Sequence, residues 1–191
     1  LHRILRGTGL RGLAGIAPLR ALAPGSDILV VRPLLKMHRD QILAFLREQN
    51  LPWREDHSNA QTSLTRNRIR LEVLPILESK INRQVRSALL RLAEQARLTD
   101  AYLAETAQRT LETLTISRTD RELVLNLPAL LKRSKVIRAE LVRQAFLYLR
   151  VGEQRIDRRH VTAVLSLAEQ GKTNKRINLP GRLTVARRYD R

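Results

Sequence analysis

Four glycines among the first fifteen residues, with Arg6 beside them, form the first chemically suggestive pattern in this sequence. Gly7, Gly9 and Gly12 spell G-x-G-x-x-G, the spacing that lets backbone amides approach a pyrophosphate at a helix N-terminus. Such a site needs a strand before the glycines and a helix after them. Here LHRILR reads as the end of a helix, and Pro18 interrupts the run after the glycines, which argues against a dinucleotide site. Two readings remain for the bend: a tight surface turn, or a close backbone approach to a ligand in which Arg6 offers a cation to a phosphate or carboxylate.

Further along, Asp56, His57, Ser58 and Asn59 bring a carboxylate, an imidazole, a hydroxyl and an amide together. No second carboxylate or histidine stands at a useful offset, so capping of a turn is favoured over acid–base work. Arg66, Asn67, Arg68 and Arg70 come next, on a helical spacing that sets Arg66 and Arg70 on one face. They can hold phosphates, or pair with Glu55, Asp56 and Glu72, or do both. His2, His38, His57 and His160 are scattered and there is no cysteine. No metal site is expected, and a reducing, cytoplasmic setting fits.

The formal net charge of the 191 residues is +18, and like charges in a compact chain repel unless a polyanion neutralises them. A nucleic-acid partner is therefore expected. Residues 1–78 carry 12 Lys/Arg against 7 Asp/Glu, whereas residues 79–191 carry 24 against 11. The excess is densest over 132–191, with 16 against 5. The candidates for phosphate contact there are Lys132, Arg133, Lys135, Arg138, Arg143, Arg158, Arg159, Lys175, Arg176, Arg187 and Arg188, against the alternative of an ordinary solvated face. Only six aromatic residues occur, too few for a stacking platform, which favours a folded RNA or a duplex over a loose single strand.

These groups depend on a framework that is itself partly readable. Leu1–Leu5 ends a helix. Ile28–Arg32, bounded by Gly25 and Pro33, is a short β-branched run expected to be a buried strand of a parallel sheet. An amphipathic helix runs from Met37 to near Asn50, and a second starts near Thr65 and stops before Pro75. Val85, Leu89, Leu92, Ala96, Thr99, Leu103, Ala107, Leu111 and Leu114 form one stripe, predicting either one long helix at a domain junction or two packed ones. Leu123–Leu127 alternates as a strand, Leu130–Leu149 is helical, and Asp157 caps a helix reaching Glu169. Ile177 and Leu179, then Leu183 and Val185, face one way across a Pro180–Gly181 turn and predict a hairpin. The fold class is mostly α with short strands: the remnant of an α/β nucleotide-binding domain at 1–78, then a helical α+β domain at 79–191.

The ordered trio RGTGLRGLAG, RPLL and WREDHSN, with RNRIR and LP after it, resembles the tRNA(Ile)-lysidine synthetases over residues 2–77, and Asp157–Arg191 is more loosely similar to their central tRNA-binding domain. The resemblance implies an ATP-dependent ligase that, with Mg, adenylates C2 of the wobble cytidine in tRNA(Ile) with a CAU anticodon. Lysine then displaces AMP. It implies that Arg6, Gly7 and Gly9 flank the nucleotide or lysine pocket. Asp56, Asn59, Arg66, Asn67 and Arg70 would support it or touch RNA. Lys132, Arg133, Arg138, Arg158, Arg159, Lys175, Arg176, Arg187 and Arg188 would meet the tRNA backbone. The family's SGGxDS phosphate loop and its acidic motif are expected upstream of Leu1, so these residues alone should hold tRNA without catalysing, with no cofactor bound and a homodimer allowed. The rival reading is a non-catalytic, winged-helix-like DNA- or RNA-binding module; it needs an exposed recognition helix, whereas Val161, Val164, Leu165 and Leu167 give the helix after Asp157 a buried face.

Overall fold

The structure is a computed structural model that describes residues 1–23, 26–149 and 157–190; Gly25, the expected strand boundary, and Arg191 lie outside the described residues. The chain is mostly helical with three short strand pairs among the described residues. It divides into two compact units, Leu1–Arg20 with Leu29–Asp100, and Ala21–Ile28 with Ala101–Arg191.

In the first unit, α1 (His2–Leu5) and α2 (Leu10–Leu13) flank the glycine bend. Strands β1 (Leu19–Ala21) and β2 (Leu29–Val31) pair, with Arg32 N–H donating to Pro18 O (2.9 Å) in this unit and Leu22 N–H to Ile28 O (2.8 Å) within the connecting segment that groups with the second unit. Those bonds run antiparallel, and β2 is largely exposed. The expected buried parallel strand is thus corrected: the link between β1 and β2 is too short for the crossover that parallel pairing requires. Helix α3 (Arg39–Glu48) starts where His38 and Gln41 bond reciprocally, and it ends at Asn50, whose φ of 51° turns the chain out of the helix. Arg47 on α3 stacks 5.8 Å from the Trp53 ring.

The second helix does not stop at Pro75. α4 (Thr65–Arg68) passes through a π-type turn, Ile69–Val73, into α5 (Leu74–Lys80), with Pro75 in the first turn of α5. Proline lacks an N–H and crowds the carbonyl four residues back, and a widened turn relieves both problems without breaking the rod. A bidentate pair comes after it: Arg86 donates to Glu78 at 2.6 and 3.0 Å across the bend into α6. These bonds hold the Glu78 carboxyl below its usual pKa.

α6 (Val85–Leu114) is one unbroken helix of 30 residues, about 45 Å at 1.5 Å per residue, which decides between the two arrangements its stripe allowed. In the second unit its last turns supply Ala107, Leu111 and Leu114 to a core with Leu127, Leu130, Leu141 and Ala168. Strands β3 (Thr115–Arg118) and β4 (Leu123–Leu125) pair antiparallel, with a register slip between Thr115 and Ser117. The expected helix over Leu130–Leu149 is two helices, α7 (Leu127–Leu131) and α8 (Lys135–Tyr148). Ser134 breaks the run because its side chain accepts from the Ile137 amide and starts a new helix. Helix α9 (Arg158–Gln170) is capped by Asp157 as expected, Oδ1 accepting from Arg159 N at 2.8 Å and His160 N at 3.3 Å. Strands β5 (Arg176–Leu179) and β6 (Leu183–Ala186) form the expected hairpin, Ile177 opposite Val185 and Leu179 opposite Leu183. These four pack on Val142, Phe146 and Val161. Gly181 (φ 81°) takes the turn position that glycine tolerates; Arg182 (φ 61°) shares the left-handed region.

Candidate nucleic-acid interface

The glycine bend is held from its carbonyl side. Arg3 donates to Gly12 O (3.1 Å) and Gly15 O (3.2 Å), and Arg97 of α6 donates to Ala14 O (3.2 Å). Gly7 (φ 72°) and Gly15 (φ 77°) occupy conformations that L side chains avoid. Arg6, Gly7 and Gly9 are exposed, and a Cβ added at Gly7 or Gly9 would meet nothing within 4 Å. Gly12 lies inside α2, where an added Cβ would strike the Thr8 hydroxyl.

The Asp56–Asn59 cluster is a capped 3-10 turn, His57–Ala60: Asp56 Oδ1 accepts from Ser58 N–H at 2.9 Å, and bonds from Ser58 lower the Asp56 pKa. Asn67 is the buried polar side chain among the described residues, 8% exposed. Its amide donates to Ser58 O (2.7 Å) and Gln61 O (2.9 Å), so it fastens α4 to that turn. Arg68 adds a bond to Thr62 O at 3.2 Å. Arg66, Arg70 and Asn59 are exposed. Glu55 pairs with Arg39 at 3.3 Å, and among the described residues neither Arg66 nor Arg70 is paired with an acid.

In the second unit the nominated cations fall into two groups. Arg138 of α8 pairs with Glu169 of α9 and its side chain is only 12% exposed. Arg187 donates to Gly171 O at the end of α9, and its Nε is buried. Arg143 pairs with Glu140 at 2.9 Å, and Arg159 with Asp157 at 2.8 Å. Those guanidiniums are engaged within the protein, and of the four Arg159 stays largely exposed (88%). Lys132, Arg133, Lys135, Arg158, Lys175, Arg176 and Arg188 are exposed, and none is paired with an acid among the described residues.

Lys172 and Arg182 join them without having been nominated from the sequence: both are exposed cations without an acidic partner among the described residues, Lys172 between α9 and β5 and Arg182 in the hairpin turn. Their positions flanking predicted strands are the signal that finds them. Asn178 and Thr184, also not nominated, face outward opposite each other and are joined by Thr184 Oγ1 to Asn178 Oδ1 at 3.0 Å. A cavity of about 560 Å³ in this unit is lined by apolar side chains such as Leu125, Phe146, Leu167 and Val185 together with Arg121, Arg182, Arg187 and Arg188. The glycine bend lines neither this cavity nor the smaller one beside Tyr148. Val161, Leu167 and Ala168 are buried, so α9 presents no free recognition face along that side. Among the described residues no cluster suits a metal ion and no helix is long and apolar enough to cross a membrane.

Residues 1–77 match the family described as PP-loop domain, and residues 125–191 that described as TilS substrate binding domain. The chain is similar to the tRNA(Ile)-lysidine synthase of Solibacter usitatus, 35% identical over 190 residues that make up 100% of this chain and 41% of the relative. It is 28% identical over 190 residues to that of Clostridioides difficile, covering 100% and 40%. With that of Rhodopirellula baltica it shares 44% identity over 121 residues, 63% of this chain and 30% of the relative. The chain spans about two fifths of the length of the relatives it matches from end to end.

Proposed function

As a member of the tRNA(Ile)-lysidine synthase family, this chain is, we propose, the end of that enzyme's ATP-pyrophosphatase-type domain, residues 1–78, followed by a tRNA-holding domain, residues 79–191. In the whole enzyme ATP, with Mg, adenylates the oxygen on C2 of the wobble cytidine of tRNA(Ile) bearing a CAU anticodon, and pyrophosphate leaves. The lysine amine then attacks that carbon, AMP leaves, and the carbon–nitrogen bond of lysidine is made.

Within this chain the role is to hold RNA. The observation that carries the reading is the group of exposed, acid-free cations in the second unit, Lys132, Arg133, Arg158, Lys175, Arg176 and Arg188, beside a hairpin and helix that are themselves well packed. Counterion release from a polyanion makes such a surface adhesive in low salt. Arg138 and Arg187 are read as internal fasteners, and Arg159 as divided between its cap and an outward face. Arg6 is exposed and acid-free, which suits an anion, and Arg6, Gly7 and Gly9 are proposed to flank the nucleotide or lysine pocket in the whole enzyme. The bend by itself offers no cradle for ATP: nothing lies within 4 Å of where a Cβ would stand at Gly7 or Gly9. Asn67 and Asp56 support the loop beside Arg66 and Arg70. The chain alone is therefore expected to bind tRNA without modifying it.

The test is fluorescence anisotropy of this chain with tRNA(Ile) bearing CAU, with tRNA(Met) and with duplex DNA over a salt series. A steep salt slope with tRNA preferred supports the reading. Equal or tighter binding to DNA overturns it.

A further inference from the structure

The outer face of the terminal hairpin has a chemistry that its charge alone does not describe. Alternation along β5 and β6 sends Ile177, Leu179, Leu183 and Val185 into the core and leaves Arg176, Asn178, Thr184 and Ala186 outside, all exposed. Arg176 stands opposite Ala186, and Asn178 opposite Thr184. An alanine across from Arg176 leaves the guanidinium without a carboxylate on the facing strand. Arg188, two residues past Ala186, is likewise exposed and acid-free among the described residues. Two carboxylates occur over residues 158–190, Glu169 and Asp190, and Glu169 is neutralised by Arg138.

On the turn side of both arginines lies a polar pair. Thr184 Oγ1 donates to Asn178 Oδ1 at 3.0 Å. That bond commits the Thr184 hydroxyl proton, leaving the Asn178 amide N–H donors, the second lone pair of Asn178 Oδ1 and the Thr184 oxygen lone pairs for a ligand. A ribose 2′-hydroxyl is both donor and acceptor, and it lines the wide, shallow minor groove of A-form RNA. Deoxyribose offers neither bond. Residues two apart on a strand are about 7 Å apart, so a cation on a phosphate and an amide on a nearby ribose fall within one short stretch of backbone.

We propose that this hairpin face reads ribose: Asn178 and Thr184 engage a 2′-hydroxyl while Arg176 and Arg188, both on the open-end side of that pair, hold the phosphates next to it, so that the face separates RNA from DNA. Arg187 is the positioning residue, because its guanidinium on Gly171 O, its N–H on Lys175 O (2.9 Å) and its carbonyl accepting from Asn174 N–H (2.7 Å) fix the end of the ribbon. The proposal rests on the RNA-holding reading above but can fail separately from it.

The experiment measures binding of the whole chain to a labelled duplex RNA of about 16 base pairs, the span of a typical duplex-RNA-binding domain, and to the DNA duplex of the same sequence, over a salt series, with circular dichroism of each variant as the folding control. The unaltered chain is expected to prefer RNA. Asn178→Ala with Thr184→Val should bring the RNA-to-DNA preference down about fivefold or more while leaving the salt slope unchanged, since no charge is lost. Arg176→Gln and Arg188→Gln should instead weaken both duplexes and lower the slope by about 0.7–0.9 each. A folded Asn178/Thr184 variant that keeps its full RNA preference overturns the proposal, and if that variant still binds tRNA steeply the broader reading stands. Equal binding of both duplexes by the unaltered chain overturns the ribose reading as well, and binding of neither, with tRNA also unbound, overturns both.

Discussion

Asn67 sits in a run of three arginines, and nothing in its immediate neighbours announces a buried side chain. Its amide satisfies two backbone carbonyls at once, Ser58 and Gln61, which is why a polar group survives there at 8% exposure. Asn67→Ala should cost about 1–2 kcal/mol in urea unfolding. Asn67→Asp should cost more, because a carboxylate has no N–H to give and would face two carbonyl oxygens; an Asp variant as stable as the Asn protein would refute the assignment. Gly171 is a different constraint: its backbone is ordinary, but a Cβ there would stand 2.2 Å from Leu167 O. Both roles are invisible from residue type, since each depends on which backbone atoms the fold brings close.

Among the elements, α8 and α9 are joined by Arg138 and Glu169 as well as by apolar packing. Glu169→Ala leaves a guanidinium that is 12% exposed without its counter-charge, and is expected to cost about 3 kcal/mol. Replacing both, Arg138→Met with Glu169→Leu, should be close to neutral, since the pair's own desolvation opposes its attraction. Denaturant midpoints of the two variants decide this. The start of α9 gives a pH signature. The Arg159 side chain, then the amides of His160 and Arg159, hold the Asp157 carboxyl below its ordinary pKa, so folding gains from its ionised form. That gain is present above the unfolded pKa of about 4 and is lost as pH falls through the depressed folded value. Asp157→Asn keeps a cap but loses the charge. Its melting temperature should fall below that of the unaltered chain near neutral pH, and the gap should close once the pH has fallen through the depressed folded value; a gap independent of pH would show that the cap geometry, not the charge, matters. The hairpin is legible in the sequence because alternation and Pro180–Gly181 agree. Strand Thr115–Arg118 is not, because Ser117 and Arg118 are polar and exposed, and neither is the rod through Pro75, because a widened turn has no signature in residue type.

For the molecule as a whole, a charge of +18 should make thermal stability depend on polyanions. Duplex RNA at one hundred times its dissociation constant should stabilise the chain by about 2.7 kcal/mol, an effect that fades as salt rises; a melting temperature indifferent to RNA at low salt would contradict the proposed role. Residue order alone dictates the helical stripe of α6, the capped helix after Asp157, the terminal hairpin and the concentration of cations after residue 132, because periodicity, capping chemistry and charge are local properties carried by the residues themselves. Which of those cations stay free is settled by packing. Arg138 and Arg187 look like their neighbours in the chain, yet Glu169 and the Gly171 carbonyl claim them once α8, α9 and β6 come together, and a partner distant in sequence can be recruited only after the chain has folded.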